Sequence, residues 1–148
     1  MDGILLDLGI SSLQVEQPER GFSFSKEGPL DMRMDPDQPL SAETLIKTSS
    51  VSALTSLLGT LGEERYARRI AERIVRERRL RPITATTHLA RVVAEAVPPR
   101  ARHGRLHPAT RTFQALRLAV NVELGSLAAF LAHVQALVRP GGRVVILS

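Results

Sequence analysis

Asp7 closes a short apolar run, Gly3-Ile4-Leu5-Leu6-Asp7-Leu8, and is the residue of this 148-residue chain best placed to do chemistry. A run of this kind suits a strand buried on both faces of a parallel sheet. Open parallel sheets bind ligands at the carboxyl ends of their strands. A carboxylate there can hold a cationic group by charge or accept a hydrogen bond from an amino group. Ser11 and Ser12 end the run; they could orient a ligand, or simply terminate the strand. Two further acceptors, Asp31 and Asp35, fall in a stretch, 16–40, punctuated by Pro18, Gly21, Gly28-Pro29, Asp35-Pro36 and Pro39. That stretch carries Phe22, Phe24, Leu30, Met32 and Met34, too apolar for a free linker, and reads as an ordered loop covering a site. The competing reading joins Asp31, Arg33 and Asp35 in a salt-bridged loop with no chemical role.

Other chemistries find less support. The four histidines, His88, His103, His107 and His133, lack metal-ligand spacing. His107, beside Pro108, could touch a ligand or steady its own loop. The absence of cysteine excludes disulfides and thiolate metal sites. No apolar run reaches the roughly 18 residues of a membrane span, and Met1-Asp2-Gly3 does not begin a signal peptide.

Charge is distributed unevenly. Residues 1–59 hold 4 basic and 9 acidic side chains, whereas residues 60–111 hold 13 basic, all arginine, and 5 acidic. Arginine grips phosphate with a planar fork and stacks on bases, so the block points to a nucleic-acid partner. A GC-rich coding sequence would supply the same arginines without such a role. The candidates are Arg65, Arg68, Arg69, Arg73, Arg76, Arg78 and Arg79, with Arg100, Arg102, Arg105 and Arg111 in or beside a basic loop.

The elements that must position these groups follow from the apolar pattern. Hydrophobic residues make up 43% of the chain, with aromatics at 3% and no Trp, so the core is aliphatic. Helices are predicted from near Ser41 and from near Ser50, the latter through Leu54, Leu57 and Leu58, with Gly59 and Gly62 bounding the next turn. Glu63–Arg79 reads as a strong helix, with Tyr66, Ile70 and Ile74 four apart and charges matched to its dipole. Pro82 stops it. Thr84 or Thr86 caps another helix, with Leu89, Val92, Val93, Ala96 and Val97 on one face. After Pro108 a long helical pattern runs through Phe113, Leu116, Val120, Leu124, Leu127, Leu131 and Val134, and Gly125 is where it would split. Along it, Gln114, Arg117 and Asn121 either brace the site loop or form the polar rim of a core. Val144-Val145-Ile146-Leu147 is a second buried strand. The two strands belong to one parallel sheet joined by a crossover, with the central helices as an insertion.

Several blocks are long and unusual. They are Asp2-Gly3-Ile4-Leu5-Leu6-Asp7-Leu8-Gly9-Ile10-Ser11-Ser12-Leu13-Gln14, Glu19-Arg20-Gly21-Phe22-Ser23-Phe24 and Gly28-Pro29-Leu30-Asp31-Met32-Arg33-Met34-Asp35. Gly62-Glu63-Glu64-Arg65, His107-Pro108-Ala109-Thr110-Arg111-Thr112-Phe113-Gln114-Ala115-Leu116-Arg117, Asn121-Val122-Glu123-Leu124 and Pro140-Gly141-Gly142-Arg143 follow in order. Together they resemble the ribosomal RNA cytosine-N4 methyltransferases of the MraW type.

The resemblance implies an α/β chain carrying part of a class I, Rossmann-like methyltransferase sheet. Residues 1–38 and 108–148 would form that discontinuous domain, and 39–107 an inserted helical domain for RNA recognition. It implies S-adenosylmethionine as methyl donor, no metal, and a cytosine amino group of small-subunit (16S) ribosomal RNA as acceptor. By similarity Asp7 and Gln14 face the cofactor, although each could instead cap the turn that follows the strand. Asp7, Asp31 and Asp35 are the candidate catalytic acceptors, since an acceptor that draws on the amino hydrogens raises the nitrogen's nucleophilicity. Arg65, Arg69, Arg73, Arg76, Arg102, Arg105 and Arg111 are the candidate RNA contacts. The partner would be ribosomal RNA or the small subunit, in the cytoplasm or, in a eukaryote, the mitochondrial matrix; a homodimer stays open and a membrane is not expected.

The family's glycine-rich cofactor loop would precede Met1, and a Phe-His-Ser-Leu-Glu-Asp block would follow Ser148. The isolated chain is therefore expected to be inactive, and the alternative is a non-catalytic RNA-binding fragment. Another Rossmann-like enzyme is the weakest reading, for no dinucleotide glycine fingerprint is present.

Overall fold

The computed structural model describes residues 1–147. Among them the chain forms β1 (Gly3–Asp7), α1 (Ser12–Glu16), α2 (Ala42–Thr48), α3 (Val51–Gly62), α4 (Ala67–Leu80), α5 (Thr86–Ala96), α6 (Thr110–Asn121), α7 (Glu123–Leu137) and β2 (Arg143–Leu147). The architecture is mixed α/β, as expected.

The core is built where the apolar periodicity placed it. Leu54 and Leu58 of α3, Ile70 and Ile74 of α4, Leu89, Val92 and Val93 of α5 and Leu116 and Val120 of α6 are buried together. Leu30 and Met32 of the long loop enter the same cluster, so one continuous core runs from Phe22 to Val120. Two helix starts follow the serine signals closely. The Ser41 side chain accepts from the Thr44 N–H and Ser50 from the Ala53 N–H, each satisfying an orphan donor of the first turn.

Three element boundaries differ from expectation. α4 starts at Ala67 rather than Glu63, because α3 continues through Gly62 and Glu63 takes the left-handed conformation that ends it. Thr86 does not cap α5; its hydroxyl donates to the Lys26 carbonyl and accepts from the Gly28 N–H, tying the long loop to the helix instead. The long C-terminal pattern breaks at Val122, which is left-handed at φ 51°, not at Gly125. There α6 and α7 bend by 56°, and the Arg117–Glu123 ion pair at 3.0 Å spans the break.

β1 and β2 pair in parallel, Gly3 opposite Arg143 and Asp7 opposite Leu147. The sequence pattern predicts burial of both strands; the structure leaves them open. Ile4 and Leu6 are half-buried, but Leu5 is 67% exposed and every residue of β2 is exposed. A parallel strand is buried only when helices cover both faces of its sheet. Among the described residues, cover is confined to the side of Ile4 and Leu6. Among the described residues no single helix is long and apolar enough to cross a membrane.

Candidate ligand edge and arginine-lined clefts

The strand places Asp7 at its carboxyl end, exposed to solvent. Gly9 follows at φ 132°, and a Cβ there would meet nothing within 4 Å, so the space beside the strand end is open. Gln14 sits in α1, and its Oε1 accepts from the Ser11 N–H at 3.0 Å while the Ser11 hydroxyl accepts from the Gln14 N–H. Ser11 and Gln14 are thus joined to each other at the start of α1, four to seven residues after Asp7.

The loop 20–40 is rigidly made. Gly21 is left-handed at φ 72°, and a Cβ there would lie 2.2 Å from the Pro29 carbonyl oxygen, so only glycine lets these two backbone segments touch. Asp31 and Arg33 form a bidentate pair, Nε to Oδ1 and Nη2 to Oδ2, both at 2.8 Å. The same guanidinium donates to the Pro36 and Gln38 carbonyls. Its hydrogen bond holds the Asp31 carboxyl below the usual range against the opposing effect of burial. The salt-bridged reading therefore describes Asp31 and Arg33. Asp35 stands outside that pair; it is exposed and accepts from the Asp37 N–H.

Asn121, at the end of α6, ties this loop down. Its Oδ1 accepts from the Met34 N–H at 2.7 Å, and its Nδ2 donates to the Met32 carbonyl at 2.8 Å. Two residues missed in the sequence do similar work. Arg20 donates to the Arg33 and Met34 carbonyls, and Gln38 to the Val120 carbonyl. Gln114, by contrast, is exposed, and Arg117 pairs with Glu123.

The arginines divide into two groups. Arg73 is engaged by Glu95 and Glu77, Arg102 donates to the Val97 and Glu95 carbonyls at the end of α5, and Arg111 donates to the Glu63 carbonyl. Arg78 closes the end of α2 through the Ile46 and Ser49 carbonyls. These four serve the fold. Arg65, Arg69, Arg76 and Arg105 are exposed and make no ion pair or side-chain hydrogen bond among the described residues. Arg79 and Arg100 are likewise exposed, while Arg68 pairs with Glu72. The hub of the engaged set is Glu77. Bonds from His88 and Arg81, with Arg73 and Arg91 close by, hold its carboxyl at about 2.

Two clefts flank α4. One, of about 350 Å³, is lined by Arg69, Arg73, Arg76, Glu72 and Glu95. The other, of about 390 Å³, lies between the start of α4 and the 97–111 loop. Arg65, Arg105 and Arg111 line it together with Tyr66, Leu106 and His107. Neither contains Asp7, Gln14, Asp31 or Asp35. His107 stacks on Phe24 with ring centroids 4.7 Å apart, and its Nδ1 accepts from the Ala109 N–H, so its loop-steadying role is realised. Tyr66 and Leu106 are not among the site residues expected from the sequence. The usable signal was Leu106, an aliphatic residue standing alone between Arg105 and His107. Among the described residues no group of three or more potential metal ligands occurs.

A family profile described as the MraW methylase family matches residues 1–148. A protein named ribosomal RNA small subunit methyltransferase H from Mycolicibacterium smegmatis is 51% identical over the whole chain. Proteins of the same name from Desulfosudis oleivorans and a Synechococcus strain are 52% and 54% identical, over 100% and 99% of the chain. The chain spans 40%, 48% and 47% of the lengths of these three relatives.

Proposed function

The chain belongs to the MraW methylase family, and from that premise we propose that it takes part in S-adenosylmethionine-dependent methylation of a cytosine amino group in small-subunit ribosomal RNA. One observation carries the reading: the family match runs through every residue, and relatives named for small-subunit ribosomal RNA methylation share about half of the matched positions. Those relatives are bacterial, which favours a cytoplasmic setting beside the ribosome.

The residues present suit one wall of a cofactor site. The Asp7 carboxylate stands at the carboxyl end of a parallel strand, where ligands of such sheets sit, and its charge complements a sulfonium or ammonium group. Ser11 and Gln14 supply neighbouring polar atoms. The cofactor, when bound, supplies an electrophilic methyl group. Asp7 would accept a hydrogen bond from the cytosine amino group, making its nitrogen a better nucleophile, and would hold it in line for transfer; positioning of this kind supplies much of such a rate. Asp35, exposed and outside the Asp31–Arg33 pair, is the second candidate acceptor. Asp31 acts through Arg33 to fix the loop. Residues 39–107 are assigned to RNA recognition on the strength of their arginines. The target base must leave its stack to reach a donor at the sheet edge.

One alternative, which the exposed arginines beside α4 favour, is an RNA-binding chain without catalysis. Calorimetry with S-adenosylmethionine separates the two, since only the catalytic reading requires binding that Asp7→Asn weakens. The main test is incubation with small ribosomal subunits and methyl-labelled S-adenosylmethionine, followed by digestion to nucleosides. The chain alone is expected to transfer no label; with the family's flanking segments joined to it, label in N4-methylcytidine is the expected result. Label in another nucleoside, or affinity for ribosomal RNA that stays flat as salt rises, refutes the reading.

A further inference from the structure

Resting on the ribosomal RNA reading, we propose that the cleft between the start of α4 and the 97–111 loop seats an unpaired nucleotide other than the one that is methylated. The nucleotide's base would lie against Tyr66 and Leu106, its phosphate on Arg65 and Arg105, and the adjoining backbone would run along Arg69 and Arg76.

The two clefts beside α4 are chemically different. In the smaller one, three arginines face Glu72 and Glu95, and Arg73 is already bound to Glu95. It offers charge and no flat or apolar surface. The larger cleft has an apolar floor that includes Tyr66, Val97 and Leu106, and three arginines at its margin against one carboxylate, Glu64. Glu64 is itself turned inward, accepting from the Tyr66 N–H at 2.9 Å. An apolar floor ringed by cations matches a nucleotide, whose base is flat and whose phosphate is anionic. The volume of about 390 Å³ lies in the range of small-ligand sites.

The side chains that would meet the nucleotide are available. Leu106 is 60% exposed, with no structural reason to be so in a basic loop. The Arg65 guanidinium lies over the half-buried Tyr66 ring, 5.9 Å from its centre, so a cation and an aromatic ring already meet at the cleft. Arg65 and Arg105 have no other side-chain partner among the described residues. The free cations also form a path. Arg69 and Arg76 are seven residues apart, two turns on one face of α4, and Arg65 lies in the turn that leads into the helix. A strand whose base enters the cleft therefore finds its neighbouring phosphates beside unpaired guanidinium groups. None of Asp7, Gln14, Asp31 and Asp35 lines the cleft, so the seated nucleotide is not the methyl acceptor.

The test is fluorescence anisotropy of the full chain with a short uridine oligomer and with duplex RNA of equal length, over a salt series. The single strand should bind more tightly. Tyr66→Ala should weaken it roughly 5- to 100-fold, the range for loss of one stacked base, and Tyr66→Phe should restore binding. Because Tyr66 also packs on the core, Leu106→Ala and Arg105→Ala, both in the exposed loop, serve as variants that leave the fold intact. Arg65→Ala/Arg105→Ala should lower the salt slope by roughly one unit for each phosphate that is no longer neutralised. Lys47→Ala, a cation on α2 away from both clefts, should bind as wild type. If wild type binds RNA while all the cleft variants match it, or if duplex binds better, the cleft assignment falls and the ribosomal RNA reading stands. If wild type binds no RNA, both fall.

Discussion

Replacing Asn121 by alanine should unfasten the loop that carries Asp31 and Asp35. The Asn121 side chain makes two bonds across to that loop, to the Met34 N–H at 2.7 Å and the Met32 carbonyl at 2.8 Å. Its third bond, to the Arg117 carbonyl at 2.9 Å, is within its own helix end. Each cross-element bond contributes about 1 kcal/mol net. Met32 is fully buried, so losing its donor partner adds about 1 kcal/mol or more for a carbonyl left unpaired. Met32 is also left-handed at φ 63°, a conformation costing about 1 kcal/mol that nothing but the surrounding bonds sustains. The variant should therefore favour loop opening by about 3 kcal/mol, roughly a hundredfold in the opening equilibrium. Hydrogen exchange reads this at the Met32 amide, which keeps its own partner, the Arg20 carbonyl at 3.0 Å, and so reports opening rather than the deleted bond. Exchange at amides inside α4 should stay near wild type. In the methylation assay, activity should fall with the loop while affinity for single-stranded RNA persists. Met32 exchange indistinguishable from wild type would show that the loop is held by something other than Asn121.

Two further perturbations test the packing behind the site. Glu77→Gln should reduce stability at neutral pH by about 2 kcal/mol. A carboxyl held at about 2 instead of 4.5 is equivalent to somewhat more, discounted here because Arg81 and Arg91 are 60% and 44% exposed. A depressed carboxyl stabilises fully above its unfolded value and loses that contribution as pH falls from about 4.5 toward 2, so urea midpoints of wild type should drop through that window and those of Glu77→Gln should drop less. An equal drop would remove Glu77 as the source, leaving Asp31 and Glu95, whose carboxyls are also lowered. Gly62→Ala would place a Cβ 2.6 Å from the Arg111 carbonyl oxygen and 3.0 Å from the Ala115 Cβ, prising α3 from α6. Overpacking of this kind should cost about 2 kcal/mol in urea unfolding, and an unchanged midpoint would show that the two helices yield freely.

What could be read from the sequence follows from how local each signal is. Ser41 and Ser50 act on amides three residues away, and both helix starts were legible. The apolar runs around Leu5 and Val145 were legible as paired strands because strand formation is a local property. Their burial was not, because it depends on what covers the sheet. The break at Val122 was misplaced because glycine is the usual left-handed residue, and Gly125 stood three positions away. The valine takes the left-handed conformation at a break that the Arg117–Glu123 pair spans. The role of Asn121 could be framed as one of two alternatives; choosing between them needed a loop 87 residues distant in sequence.

The arginine block shows how composition overstates a binding surface. Thirteen cations in 60–111 read as one field, yet several of them finish the protein's own helices. Arg78 satisfies carbonyls at the end of α2, Arg102 does so at the end of α5, and Arg111 reaches the residue that terminates α3. Carbonyls at helix ends lack intrahelical donors, and a long guanidinium from a neighbouring element supplies one at little cost in exposed apolar surface. Arg73, Arg81 and Arg91 neutralise Glu77 and Glu95. The fold thus consumes cations first, and what remains is decided by geometry. Arg65, Arg69, Arg76, Arg79, Arg100 and Arg105 remain among the described residues, and four of them, Arg65, Arg69, Arg76 and Arg105, line one or other of the two clefts beside α4. Substitution within this set of four should change RNA affinity with little loss of stability. Substitution of Arg78 or Arg102 should do the reverse, although in sequence the two sets are indistinguishable.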